Sequence, residues 1–121
     1  MNYEEFVAAY RQIIHHAVAL LKPNQFACFV VGEVRDPKGF YRHFVGATIE
    51  AFESAGALLY NEAILPTQAG SLPIRVTKQF QAGRKLDKTH QNVLVFYKGD
   101  PKQIRATYGD VAITVGEAKL Q

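Results

Sequence analysis

The sequence predicts an α/β protein in which two amphipathic helices alternate with the strands of one three- or four-stranded sheet. Three observations carry this prediction. Apolar residues recur at three-and-four spacing in two stretches, as on the buried face of a helix. A run of apolar and β-branched residues follows each stretch. A long connector then leads to one further apolar run.

Asn2 followed three residues later by Glu5 has the form of a capping box. Phe6, Tyr10, Ile13, Ile14, Ala17, Leu20 and Leu21 then share one helix face, which predicts a helix over residues 3–21. Lys22-Pro23-Asn24 ends it, because proline cannot extend a helix and restrains the residue before it. Phe26 to Val34 is nearly continuous in apolar residues, the pattern of a strand buried on both faces in a parallel sheet covered by helices. Asp36-Pro37-Lys38-Gly39 has the residues of a β-turn. A second helix follows, with Phe44, Val45, Thr48, Ile49 and Phe52 on one face and Gly56 closing it. Leu58 to Leu65 reads as the second strand and Asn92 to Lys98 as the third. Strands one and two are expected to be parallel and strand three antiparallel. The tail holds a short helical stretch near 101–107 and a last strand, Val111 to Val115.

Composition sets outer bounds. A chain of 121 residues, 48% hydrophobic and 21% charged, has the make-up of a small globular domain or a piece of a larger one. The formal net charge of +3 permits a phosphate partner without requiring one. The single Cys28 excludes an internal disulfide and a cysteine-based zinc site, and its apolar neighbours predict a buried, inert thiol. The N-terminal stretch lacks a signal-peptide core, and no apolar run approaches the roughly 18 residues needed to span a bilayer. A reducing, cytoplasmic setting without membrane contact is expected.

Two regions carry candidate chemistry. Glu33, Arg35 and Asp36 close the first strand, and open α/β sheets collect ligands at the carboxyl ends of their strands. The same three residues would equally serve as a solvated ion pair. The connector 66–90 is long and broken by Pro66, Gly70, Pro73 and Gly83, and its second half sets five bases against Asp87 alone. Arg75, Lys78, Gln79, Arg84, Lys85 and Lys88 are the candidate DNA contacts there, acting through phosphates; a solvated surface loop is the plainer alternative. Asp110, Glu117 and Lys119 have the spacing of a metal nuclease site, but the pattern is short and common, and chance accounts for it more simply. His15 and His16 are adjacent and point to different helix faces, so no metal site is indicated. No phosphate-cradling glycine motif is present, and no residue is assigned as catalytic.

Phe26-Ala27-Cys28-Phe29-Val30-Val31-Gly32-Glu33-Val34-Arg35-Asp36 resembles the strand and turn that follow the catalytic motif in bacterial and phage DNA adenine-N6 and cytosine-N4 methyltransferases. Thr48-Ile49-Glu50-Ala51-Phe52-Glu53-Ser54-Ala55-Gly56 looks like their next helix, and Tyr60 to Leu65 like the strand after it. Lys88 to Gly99, with His90-Gln91-Asn92-Val93-Leu94-Val95-Phe96, is similar to their late strand, and Leu21-Lys22-Pro23 to the end of the preceding helix. The likeness covers residues 3–99 in the family's order. It implies a partial Rossmann-like methyltransferase sheet whose last two strands are an antiparallel pair joined by a long basic loop lying near DNA. It also implies S-adenosylmethionine as the cofactor of the intact enzyme.

The departures are as informative. Asp36-Pro37-Lys38-Gly39-Phe40 lacks the second proline and the stacking aromatic of the family's Asp-Pro-Pro-Tyr type motif, and the cofactor's glycine-rich segment is missing. The expected object is therefore one partial domain over 1–121, with a core at 3–99 and a tail at 100–121. Such a fragment or truncated form would be inactive alone and bind no cofactor alone. It would associate with itself through an open sheet edge or with the missing half-domain. The alternative is a stand-alone, non-catalytic DNA-binding or protein-interaction module.

Overall fold

The computed structural model describes residues 1–67, 78, 80–86, 88–115 and 118–120. The elements are α1 (Tyr3–Leu20), β1 (Gln25–Val31), α2 (Phe44–Ser54), β2 (Leu58–Pro66), β3 (His90–Lys98), a 3₁₀ turn (Pro101–Gln103), α3 (Ile104–Tyr108), β4 (Ile113–Val115) and β5 (Ala118–Leu120).

The capping box forms as read. The Asn2 side chain accepts from the Glu5 amide at 2.8 Å and the Glu5 carboxylate accepts from the Asn2 amide, which satisfies donors that a first turn otherwise leaves unpaired. The last turn of α1 has no basic residue of its own. Lys98 on β3 supplies one, donating to the Val18 and Leu21 carbonyls at 2.7 and 2.6 Å, where the helix dipole favours a cation. The next residue, Gly99, has φ +151°, and a Cβ there would run into the Asn24 side chain.

The main sheet has the order β1-β3-β2, with β3 antiparallel to both neighbours. The antiparallel pairing of the last two predicted strands is present, with Leu58 opposite Tyr97 and Pro66 opposite His90. β1 and β2 point the same way, joined by the α2 crossover, but they do not touch because β3 lies between them. The tail strand expected at 111–115 shortens to β4 and pairs with β5 in a separate two-stranded sheet.

Both long helices pack on one face of the main sheet. Ile14 and Val18 of α1 meet Ala51 and Phe52 of α2 above Val31, Leu94 and Phe96. Phe52 stacks on Phe96 at 4.1 Å between ring centroids, and side chains of this size contribute about 1.5–3 kcal/mol each when fully buried. The helices are tied to each other by the Arg11–Glu50 ion pair, by His15 with Ser54 at 2.8 Å, and by the Tyr10 and Thr48 hydroxyls at 2.9 Å. Burial pushes the Tyr10 hydroxyl up, and the bond to Thr48 opposes the shift. The Arg11 guanidinium holds the Glu50 carboxyl below the usual range.

The opposite face corrects two expectations. The sequence pattern buries β1 on both sides, yet its exposure alternates: Ala27, Phe29 and Val31 point to the helices, while Phe26, Cys28 and Val30 point away. Cys28 is consequently a free, exposed thiol and not a buried one. The reason is the same for both. Neither α1 nor α2 reaches that side, and the main cover among the described residues is aromatic, with Phe26, Tyr60, Tyr97 and Tyr108 clustered at one end.

Candidate functional site

The carboxyl ends of β1 and β2 lie on the same side of the sheet as the amino end of β3, and a cleft opens there. Beyond β1 the chain folds back on itself. The Arg42 amide donates to the Val34 carbonyl at 2.9 Å, and Arg35 bridges to Tyr41. The tip is closed by Asp36, whose carboxylate accepts from the Lys38 and Phe40 amides at 2.9 and 3.0 Å, an aspartate turn that mimics backbone pairing. Against this hairpin lies the basic segment leading into β3. Arg35 reaches across, donating to the Gly39 carbonyl at 2.7 Å and the Leu86 carbonyl at 3.4 Å. The Lys85 methylenes lie over Gly39, where a Cβ would stand 3.3 Å from Cε.

Two adjoining chambers result. One, of about 290 Å³, is lined by Glu33, Arg35, Tyr41, Thr67, Lys88 and His90, among others. The other, of about 560 Å³, is lined by Lys38, Phe40, Arg84 and Lys85. Arg35, Tyr41 and Leu86 belong to both and form the shared wall.

The sequence candidates divide by what their side chains do. Arg35, Lys85 and Lys88 face the cleft. Glu33 lines it too, but its carboxylate accepts from the Phe44 and Val45 amides at 2.5 and 3.4 Å and so caps α2. The cap is required because His43, at the N-cap, has φ 57° and makes no side-chain bond to the helix. Asp36 is committed to the turn. Arg84 lines the second chamber while its guanidinium donates to the Phe80 and Gln81 carbonyls at 2.8 and 2.9 Å, closing the short helical run 80–83. Lys78 is exposed and lines neither chamber. Arg75 and Gln79 lie outside the described residues. Sequence reading missed Tyr41, Lys38, Thr67 and His90. Lys38 was visible only as a turn residue, and no spacing rule links Tyr41 to Lys88.

Elsewhere the chemistry thins out. Asp110 is held by Arg105 in a two-point ion pair, and Glu117 lies outside the described residues. Among the described residues, no group of three His, Cys, Asp or Glu side chains could hold a metal, and no helix is long and apolar enough to cross a membrane.

Two solved structures share this architecture. Both are of a Thermus thermophilus protein whose assignment as a DNA modification methylase is itself provisional, one a selenomethionine derivative and one complexed with S-adenosyl-L-methionine. Each aligns with 81% of this chain at 16% identity and a TM-score of 0.62. The fold is methyltransferase-like. The aligned region is 38% and 39% of the respective Thermus chains, so the present chain spans well under half the length of the protein it resembles. No family model and no curated protein matches the sequence. At this identity the likeness establishes the fold alone: a mixed α/β, partial Rossmann-like methyltransferase sheet. Within that methyltransferase-like sheet, the cleft sits where open α/β folds take their ligands. Its cations and its aromatic wall suit an anionic, extended ligand.

Proposed function

We propose that the chain is the DNA-contacting portion of an S-adenosylmethionine-dependent DNA amino-methyltransferase, with the catalytic and cofactor motifs carried by a companion portion. The observation that carries this reading is the convergence of Arg35, Lys85 and Lys88 on one strand-end cleft in a methyltransferase-like sheet. Phosphates held by such cations supply most of the affinity of sequence-independent DNA binding. The DNA modification named for the Thermus protein, and the sequence likeness over residues 3–99, support DNA as the partner.

The cofactor belongs to the companion portion because the residues present do not fit it. Among the described residues, the two glycines beside the cleft stand apart and form no glycine-rich run: Gly32 follows β1, and Gly39 sits in the turn beneath Lys85. Neither forms the open backbone cradle that a nucleotide-like cofactor requires. The sheet face around Cys28 and Val30, and the outer edge of β1, are where the companion would pack.

The test is a fluorescence-anisotropy titration of a short DNA duplex with the chain and with its Lys85→Gln/Lys88→Gln variant at low salt. The variant should bind about tenfold more weakly, because two phosphate contacts are removed. Equal affinity for the two proteins overturns the assignment of the cleft.

A further inference from the structure

We propose that Tyr41 is the positioning residue of this cleft, holding Arg35 and Lys88 against one ring so that both can donate to the phosphates of a DNA backbone. The inference rests on the phosphate-contact reading above. Three observations carry it. The Tyr41 ring has the Arg35 guanidinium carbon 4.4 Å and the Lys88 ammonium nitrogen 5.0 Å from its centroid. The two cations come from different segments, the hairpin after β1 and the approach to β3, which the Arg35 bond to the Leu86 carbonyl also joins here. Tyr41 is also 39% exposed and stands outside the core cluster, so its ring is not occupied in packing.

The physics follows from the ring's quadrupole. The negative faces of an aromatic ring attract cations, which offsets part of the repulsion between two that share it. Arg35 spends two of its five N–H donors on the Gly39 and Leu86 carbonyls, which leaves others to face a ligand. The Arg35–Tyr41 bridge fixes the backbone beneath the ring. Because Arg35 and Tyr41 form the wall between the two chambers, a phosphodiester seated there has room on either side for its neighbouring nucleotides. The hydroxyl of Tyr41 plays no part, so phenylalanine should replace it.

The experiment is a double-mutant cycle on affinity for a short fluorescent DNA duplex at low salt, using Tyr41→Leu, Lys88→Met and their combination, with Tyr41→Phe as the conservative control. Tyr41→Leu should weaken binding about fivefold and Tyr41→Phe less than about twofold, the range expected of a lost or retained cation–π contact. In the Lys88→Met background, Tyr41→Leu should cost less than about twofold further, since residues acting through one another are not additive. Losses that simply multiply, or a Tyr41→Phe as weak as Tyr41→Leu, overturn the positioning role while leaving the DNA-contact reading in place. A parent chain that fails to bind at low salt removes both.

Discussion

Glu33 stands at the junction of two roles. It lines the cleft, yet its carboxylate caps α2 in place of His43, whose left-handed backbone leaves the helix without a cap of its own. The capping role predicts that Glu33→Ala lowers stability by about 1 kcal/mol in a denaturant titration while leaving DNA affinity undiminished, since a negative charge is removed from a phosphate site. Weaker DNA binding at unchanged stability would instead make Glu33 a ligand contact. The pattern at this strand end explains what could be read in advance. Polar residues closing an apolar strand marked Glu33, Arg35 and Asp36 together, and of these Glu33 and Arg35 line the cleft while Asp36 holds the turn. What the side chains do was not legible, because Glu33 and Asp36 spend their oxygens on amides whose position depends on how the following turn folds. Tyr41 was illegible for a further reason: its partner Lys88 arrives from the far side of a long connector.

The helices α1 and α2 were readable nearly to the residue, because a capping box, a proline stop and a closing glycine are local signals. The strands were readable as strands and the last two as an antiparallel pair, but the place of β3 between β1 and β2 was not. Val93 and Leu94 of β3 sit between β1 and β2, an arrangement set by the long return from Pro66 to His90 and not by any local pattern. The same limit explains the misjudged burial of β1. Phe26, Cys28 and Val30 are apolar enough for a covered face, yet neither α1 nor α2 lies on it, and α3 reaches just its Phe26 end, through Tyr108. An apolar face beside a free strand edge recruits partners. The isolated chain is therefore expected to associate with itself at high concentration, measured by size exclusion with light scattering. Added companion protein bearing the catalytic and cofactor motifs should displace the self-association. A strict monomer at high concentration would count against an unfilled face.

At the scale of the whole molecule, the fold is mixed α/β and methyltransferase-like, and its strand-end cleft gathers Arg35, Lys85 and Lys88. Fold class and element order were legible from helical periodicity and apolar runs, and the antiparallel final pair from the likeness over residues 3–99. The cleft was legible only as two separate regions, the end of β1 and the basic connector, which the fold brings together through Arg35, Lys85 and Lys88. The most direct measurement is the salt dependence of affinity for duplex DNA. If these three cations neutralise about three phosphates, raising salt from about 50 to about 200 mM should weaken binding roughly fortyfold. Absence of binding at the lower salt, or an affinity that does not change across this range, would contradict the account.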